Sequence, residues 1–411
     1  MYYVFKMKKA RKNKIKRITW FFISVIVIYV LWCIYKPLPL IRPQISNLPV
    51  KQNTSSELDW PKTGQSAIGF VDSDYEATNG VQKPAPIASV AKVITALVVL
   101  EKYPLKSGEQ GPTITLNDKD EELYRNYKAN DGSIVPSANG EKITEYQMLQ
   151  AMMLPSANNM SDSLAIWAYG SLENYSKEAS TYLKRNGMKN TVVGEDASGL
   201  HPTTVSTAED LVKLGKLAMK NTVLANIVSQ QTATGIPLTT TVKNVNILLG
   251  NSNIVGIKTG NSDHAGGAFL SASTISPNNK PVTIITAVLQ ANNLYSALAS
   301  SLSLIKSSQK SFSNTQVAAK GQVIGTYKAP WGDQATAVSE EDVKTTSYNK
   351  IKPKVAIQLD PIRQQTKTGD NIGSITLEKN HQNNQSSYSV IFKGSINKPS
   401  TKWRLTHPMS L

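Results

Sequence analysis

Apolar residues follow three different patterns along the chain, and each pattern predicts a different kind of structure. An uncharged apolar run from Ile18 to Tyr35 is long enough to cross a bilayer as a single helix. Between residues 61 and 310, apolar residues with helical spacing alternate with runs that are typical of strands. From residue 311 to residue 411, short alternating runs such as KVAIQL and YSVIFKG indicate a small β domain.

The middle part of the chain contains helices with recognisable boundaries. The segment from Ser89 to Tyr103 has the length and the strong apolar face of a helix. Thr144 and Gln147 have the spacing of a capping box, and Pro155 ends the helix that follows them. A second helix is predicted to start near Met160.

The sequence predicts strands again after residue 253, and these strands determine the predicted fold class. The runs NIVGIKTG, GGAFLSAST and KPVTIITAVLQA read as consecutive strands, with SPNNK as a hairpin turn. A helix near Leu294–Lys306 follows them. A sheet, a mainly helical insertion, more sheet and a final helix together predict one α+β domain over residues 61–310.

The charge distribution predicts how the apolar run would be oriented in a membrane. The formal net charge is +16, and no acid offsets the basic residues that precede the run, which are Lys6, Lys8, Lys9, Arg11, Lys12, Lys14, Lys16 and Arg17. The positive-inside rule therefore predicts a cytoplasmic tail at residues 1–17, a single-pass anchor at 18–35 and an extracytoplasmic remainder. The small-x-small cleavage pattern of a signal peptide is missing, although cleavage remains the alternative. Residues 36–60, with four prolines, predict an extended linker.

The chain offers little support for metal, disulfide or nucleic-acid chemistry. Its single cysteine, Cys33, lies inside the apolar run, so the exported part has no disulfide. Four histidines are scattered along the chain, at His201, His264, His381 and His407, and of these His201 and His264 are read as structural residues or residues at the rim of the site. No metal motif, phosphate loop or nucleic-acid motif accompanies the basic charge, so we expect no cofactor and no nucleic-acid partner.

Three short motifs are candidates for catalysis, and each occurs more than once. The copies of Ser-x-x-Lys are Ser89–Lys92, Ser303–Lys306, Ser307–Lys310, Ser347–Lys350 and Ser395–Lys398. Ser-Ala-Asn occurs at Ser137–Asn139 and Ser156–Asn158, and Lys-Thr-Gly occurs at Lys258–Gly260 and Lys367–Gly369. Any single copy could be chance, so order and context must select among them.

Context favours one copy of each motif. Ser89 is at a predicted helix start, where unpaired N–H groups favour developing negative charge, and Lys92 follows on the same face. Ser156 and Asn158 lie on a proline-broken connection between two apolar helices, whereas Ser137–Asn139 reads as an exposed turn. Lys258–Gly260 ends an apolar strand, whereas Lys367–Gly369 reads as a hairpin turn.

In this order the three motifs resemble the penicillin-recognising serine enzymes. The segments EDASGLHPTTVSTAEDLVKLG and KTGNSDHAGGAFLSAS narrow the resemblance to D-alanyl-D-alanine carboxypeptidases of the low-molecular-weight penicillin-binding class, over about residues 65–310. This resemblance implies a β-lactamase/transpeptidase-like antiparallel sheet with helices on both faces. It also implies peptidoglycan stem peptides as substrate and β-lactam antibiotics as covalent inhibitors.

The resemblance also implies roles for individual residues. Ser89 would be the acylated nucleophile, Lys92 its proton acceptor, and Ser156 a proton relay to the leaving D-alanine. The residues implied to bind substrate are Asn158, Lys258, Thr259, Gly260 and Asn261. Among these, Asn158 would hold the substrate amide, Lys258 and Thr259 the terminal carboxylate, and the N–H groups of Ser89 and Asn261 the oxyanion.

Several functions share these residues and stay open at this point. A D,D-endopeptidase or a transpeptidase would use the same groups on another bond or acceptor. A class A β-lactamase would need a Glu-x-x-Leu-Asn segment between Asn158 and Lys258, and none is present. A non-catalytic cell-wall-binding module is the alternative outside enzymes. The chain departs from the resemblance at its end, KWRLTHPMSL, which is too short and polar for the C-terminal amphipathic anchor that such enzymes often use.

Overall fold

The computed structural model describes residues 2–48, 57–237, 239–276, 281–348, 354–378 and 386–408. The helices are α1 Tyr2–Tyr35, α2 Ala91–Lys102, α3 Asp118–Ala129, α4 Glu145–Met153, α5 Asn158–Tyr169, α6 Leu172–Arg185, α7 Ala208–Lys220, α8 Thr222–Ser229, α9 Leu294–Lys310 and α10 Thr401–Thr406. The strands are β1 Pro43–Ile45, β2 Gln65–Phe70, β3 Glu76–Asn79, β4 Ala85–Pro86, β5 Thr113–Thr115, β6 Lys142–Thr144, β7 Val205–Ser206, β8 Thr232–Thr234, β9 Thr241–Lys243, β10 Ile254–Ser262, β11 Gly266–Ile275, β12 Val282–Ala291, β13 Phe312–Ala318, β14 Val323–Lys328, β15 Gln334–Ser339, β16 Val343–Tyr348, β17 Lys354–Leu359, β18 Asn371–Glu378 and β19 Ser386–Lys393. Two 3₁₀ turns occupy Ala88–Val90 and Asn251–Asn253.

A five-stranded antiparallel sheet in the order β10-β11-β12-β2-β3 organises the first part of the chain. Helix α9 packs on one face, where Phe269 and Val288 share a buried cluster with Leu298. Helix α7 lies so close to the other face that a Cβ on Gly215 would stand 2.6 Å from Ile285. The predicted α+β class, with helices on both faces of an antiparallel sheet, is confirmed.

The helical insertion between β3 and α7 surrounds α2. Every residue of α2 from Ala91 to Leu100 is buried, so this helix is the centre of the insertion rather than a helix with one apolar face. The predicted capping box is confirmed, because the Thr144 side chain accepts from the N–H of Gln147 and the Gln147 side chain accepts from the N–H of Thr144. Helix α3 was not predicted, since the burial of its charged sequence is confined to Asp120.

The last part of the chain forms a six-stranded sheet in the order β1-β14-β15-β19-β18-β17 and a separate β13-β16 ribbon. Its core, which includes Tyr327, Ile375 and Phe392, forms a buried cluster distinct from that of the first sheet. The segment predicted as an extended linker contributes to this sheet. Its residues Pro43–Ile45 pair with the edge of β14, and Ile41 is buried in the same core.

Helix α1 runs without interruption through the basic and apolar N-terminal segments. The part from Arg11 to Tyr35 is long and apolar enough to cross a membrane, by length and composition, and is almost entirely exposed. The predicted hairpin turn SPNNK falls mostly on residues 277–280, and His381 also lies outside the described residues.

Candidate active site

Ser89 lies in the 3₁₀ turn that leads into α2, and its side chain is half-buried. The residue before it, Ala88, has a positive φ of 46°, a conformation that costs energy for a residue with a Cβ. The first turn of α2 has no side-chain cap among the described residues. The Ser89 hydroxyl is engaged by Lys92 instead, whose Nζ lies 2.9 Å from its Oγ.

Lys92 is fully buried and connects three parts of the site. Its Nζ lies 2.9 Å from Ser89 Oγ, 2.7 Å from Asn158 Oδ1 and 3.0 Å from the carbonyl oxygen of Ser198. Burial lowers the pKa of Lys92 to about 7, although the carboxylates of Asp196 and Asp162 oppose the shift. A neutral amine is therefore available near pH 7 to accept the hydroxyl proton of Ser89.

Ser156 and Asn158 occupy the connection between α4 and α5. Ser156 is buried and adopts a left-handed conformation with φ of 67°, which is uncommon for a residue other than glycine. Asn158 is the first residue of α5, and its N–H donates to the carbonyl of Ser133 over 2.7 Å. The short connection thus positions Asn158 so that its Oδ1 accepts a hydrogen bond from Lys92 Nζ.

Strand β10 brings the Lys-Thr-Gly motif against the turn that carries Ser89. Lys258 and Thr259 are both buried. A Cβ on Gly260 would lie 2.8 Å from the Ile87 carbonyl oxygen and 3.2 Å from the Cβ of Ala88, so a side chain at 260 would push the strand off the turn. Asn261 follows at the exposed end of the strand, where it pairs with Gly267.

Lys258 and Lys92 are two buried amines in one site. Burial and the charge of Lys92 lower the pKa of Lys258 well below its usual value. A ligand carboxylate bound at Lys258 would oppose both effects and restore its positive charge.

Several polar residues that support the site were missed by sequence reasoning. The Tyr127 hydroxyl donates to Asp162 Oδ2 over 2.6 Å, and the N–H of Ala197 donates to Asp162 Oδ1 over 2.9 Å. Asp196 accepts from the N–H of Gly199 over 2.7 Å. These bonds hold the loop whose Ser198 carbonyl receives Lys92. The one available signal was that Asp162 follows Asn158 by four residues on α5 and therefore shares its face.

Two of the rejected motif copies have surroundings unlike those of the site. Ser303 is exposed on α9, and Lys367 lies in a turn in which its N–H donates to Asp370. The expectation of an exposed turn at Ser137–Asn139 was wrong for Ser137. The Ser137 side chain is buried and accepts a hydrogen bond from Asn159 Nδ2 over 2.9 Å. This bond connects the loop that carries Ser137 to α5, which explains why the residue is not exposed.

Known proteins share sequence and fold with this chain. A sequence model of the D-alanyl-D-alanine carboxypeptidase family matches residues 76–293. The D-alanyl-D-alanine endopeptidase of Escherichia coli (strain K12) is 31% identical over 208 residues, which are 49% of this chain and 62% of that protein. The chain thus spans less than two thirds of this relative's length.

Solved structures share the fold. A peptidoglycan synthesis regulatory factor (PBP3) from Streptococcus pneumoniae aligns with a TM-score of 0.59 at 19% identity, covering 83% of this chain and 100% of that one. Penicillin binding protein 5 from Haemophilus influenzae aligns with a TM-score of 0.57 at 18% identity, covering 84% and 100%. Because the family match extends over more than half of its sequence, the chain belongs to the D-alanyl-D-alanine carboxypeptidase family of serine peptidases.

Proposed function

We propose that this chain is a membrane-anchored serine D,D-carboxypeptidase that removes the terminal D-alanine from peptidoglycan stem peptides. The observation that carries the proposal is the position of Lys92 Nζ, within hydrogen-bond distance of both Ser89 Oγ and Asn158 Oδ1. This arrangement places a nucleophile, a buried base and a substrate-orienting amide around one point.

The reaction proceeds through an acyl-enzyme. Ser89 Oγ attacks the carbonyl carbon of the penultimate D-alanine while its proton passes to neutral Lys92. The backbone N–H groups of Ser89 and Asn261 stabilise the oxyanion, and Ser156 passes a proton to the amine of the leaving D-alanine. Water then attacks the ester and releases the shortened peptide and free Ser89.

Substrate recognition rests on the Lys-Thr-Gly strand and on Asn158. Lys258 and Thr259 bind the carboxylate that only a C-terminal residue carries. Gly260 lets the strand stay close to Ser89, and Asn158 holds the substrate amide. β-Lactam antibiotics, which present a carboxylate and a reactive amide, would acylate Ser89 in the same way. Without the deacylating glutamate of class A β-lactamases, the adduct is expected to turn over slowly.

We infer that this site lies outside the cell, on the basis of the basic segment and the apolar run that precede the catalytic domain. Residues 1–17 form a cytoplasmic tail, 18–35 a single membrane span and 36–60 the connection to the catalytic domain of residues 61–310. Residues 311–411 form a β domain. The separate buried cores of the two large sheets support this division, and Phe312 and Tyr348 of the β13-β16 ribbon pack against Phe70 of the catalytic domain where the two meet.

D,D-endopeptidase activity is the second candidate, because the curated relative carries that name. The two activities differ in the bond that is cleaved: one releases free D-alanine, and the other separates cross-linked peptides. Purified full-length protein in detergent should be given a pentapeptide ending in D-Ala-D-Ala and, separately, a cross-linked stem-peptide dimer. We expect release of free D-alanine, measured by mass spectrometry, to exceed dimer cleavage. Faster cleavage of the dimer would assign the endopeptidase activity instead.

Replacing Lys258 by alanine tests the carboxylate site. We expect kcat/KM for the pentapeptide to fall about 30- to 1000-fold, because a buried charge-paired contact with the substrate is lost. The effect should be smaller on a peptide whose C-terminus is amidated, since that peptide has no carboxylate to lose. Lys367→Ala is the matched control in the other Lys-Thr-Gly copy and should leave kcat/KM unchanged. Equal losses of kcat/KM for the peptide with a free C-terminal carboxylate and for the amidated peptide would contradict the assignment of Lys258 to the carboxylate site.

A further inference from the structure

The side-chain amide of Asn158 has two ends, and the protein uses one of them. Its Oδ1 accepts a hydrogen bond from Lys92 Nζ over 2.7 Å, which assigns the oxygen to the lysine and leaves Nδ2 as the other end. Within the described part of the chain Nδ2 makes no hydrogen bond, although Asn158 is only 3% exposed. Because Nδ2 can only donate and an unpaired buried donor is costly, its partner is expected to be an acceptor on a ligand.

The chain that follows α3 lies directly against this nitrogen. After α3 ends at Ala129, the N–H of Gly132 donates to the carbonyl of Tyr127 over 2.8 Å and turns the chain towards α5. A Cβ on Gly132 would lie 2.9 Å from Asn158 Nδ2. Non-bonded carbon atoms attract one another at about 3.5 to 4.0 Å, so position 132 has no room for a side chain beside the amide. The φ of Gly132 is outside the left-handed region, so the glycine is needed here for space and not for its backbone conformation.

Hydrogen bonds hold this segment on the first residues of α5. The carbonyl of Ser133 accepts from the N–H of Asn158 over 2.7 Å. The fully buried Asn159 side chain accepts from the N–H of Val135 over 3.2 Å and donates to the carbonyl of Val135 over 2.8 Å and to Ser137 Oγ over 2.9 Å. The segment and the start of α5 therefore cannot separate to admit a side chain at 132 without breaking several of these bonds.

The neighbours of position 132 differ in how easily they could move. A Cβ there would also lie 3.1 Å from the Tyr127 carbonyl oxygen and 3.2 Å from Tyr127 Cδ1. The Tyr127 ring is held at its far end, because its hydroxyl donates to Asp162 over 2.6 Å. The Nδ2 end of Asn158 has no such bond, so this end of the amide would turn away first.

We propose that Gly132 is a positioning residue for acylation. Because it carries no side chain, Asn158 Nδ2 stays free to donate to the carbonyl oxygen of the residue that precedes the penultimate D-alanine. This inference rests on the proposed function, in which Asn158 holds the substrate amide. It gives the segment from Tyr127 to Ser133 a part in selecting acyl donors that have a carbonyl group at this position over donors that lack one.

Two β-lactams separate this role from a general effect on the site. Benzylpenicillin has a side-chain amide whose carbonyl oxygen can accept from Nδ2, whereas penicillanic acid has the same ring system and carboxylate without that amide. Acylation of the full-length protein in detergent is followed by intact-mass spectrometry. Gly132→Ala should slow acylation by benzylpenicillin about 5- to 50-fold and by penicillanic acid less than about 3-fold, because Ser89 and Lys258 are untouched.

A second glycine provides the matched control. Gly140 lies between α3 and α4, and a Cβ there would meet nothing within 4 Å. Its φ of 84° makes Gly140→Ala a strained substitution that costs stability without touching Asn158. Gly140→Ala should leave both acylation rates unchanged. A selective loss for benzylpenicillin in this variant would overturn the inference, because loss of stability alone would then produce the effect.

The double variant shows whether Gly132 acts through the amide. In an Asn158→Ala background, Gly132→Ala should change acylation by benzylpenicillin less than about 3-fold, since Nδ2 is already absent. A further loss as large as in the wild-type background would overturn the inference, as would equal losses for the two β-lactams in Gly132→Ala, or no loss for either. A wild-type chain that neither β-lactam acylates would overturn the proposed function and the inference with it.

Discussion

Replacing Ser89 by alanine is expected to lower D-alanine release by about 10⁴- to 10⁶-fold, because the acyl-enzyme can no longer form. The substitution removes a single half-buried hydroxyl whose contact is Lys92, so the fold should be preserved. Binding of the peptide should remain, since Lys258 and Asn158 are untouched. The loss should therefore appear in kcat rather than in KM.

Covalent labelling separates the nucleophile from residues that only assist it. Intact-mass spectrometry after incubation with benzylpenicillin should show one antibiotic per chain in the wild type and none in Ser89→Ala. Ser303→Ala, in the exposed Ser-x-x-Lys copy on α9, should be labelled like the wild type. An adduct on the Ser89→Ala chain would contradict the assignment, and peptide mapping would show which residue carries it.

The fold class and the motif residues could be predicted because local patterns encode them. The apolar spacing of α2, the capping box at Thr144 and the strand runs around Lys258 each determine their structure within a few residues of sequence. The order of the three motifs then selected the copies that the structure brings together. Ser89, Lys92 and Asn158 meet directly, and Gly260 packs on the turn before Ser89.

Other features depend on contacts between distant parts of the chain and have no local signal. Tyr127 reaches Asp162 from a charged helix whose sequence shows no apolar face. Ser137 looked like part of an exposed turn because its neighbours are polar, but α5 covers it. The contact of Arg404 with the end of α1 joins residues that are nearly the whole chain apart. Such pairs are visible only once the fold is known.

The same reasoning explains the two left-handed residues in the site. Ala88 and Ser156 adopt positive φ although neither is a glycine. Nothing in their local sequence requires this. A Cβ on Gly199 would lie 2.2 Å from the Ala88 carbonyl, so the loop that carries Ser198 presses on the turn of the nucleophile. Tertiary packing therefore favours the backbone conformation at Ala88 that presents Ser89.

Substitution of Lys92 is expected to be nearly as damaging as loss of the nucleophile, with a fall of about 10³- to 10⁵-fold in acylation by the pentapeptide or by benzylpenicillin. Lys92→Arg should lose acylation to the same extent as Lys92→Met, because a guanidinium stays protonated and cannot accept the proton of Ser89. The matched control is Lys306→Met on the exposed part of α9, which should acylate normally. Substantial acylation by Lys92→Arg would contradict the base assignment and leave Lys92 only an electrostatic role.

The pH dependence of acylation gives the same test without removing the lysine. Because the pKa of Lys92 is about 7, the amine is protonated and inactive as a base below that pH and neutral above it, so the acylation rate should rise with pH through about 7. Asp162 stabilises the protonated form of Lys92, so Asp162→Asn should lower the pKa of the amine and move the midpoint to lower pH. Stopped-flow acylation from about pH 5 to about pH 9 measures both midpoints. A midpoint that does not move in Asp162→Asn would assign the titration to a group other than Lys92, because the charge of this carboxylate raises the pKa of the amine.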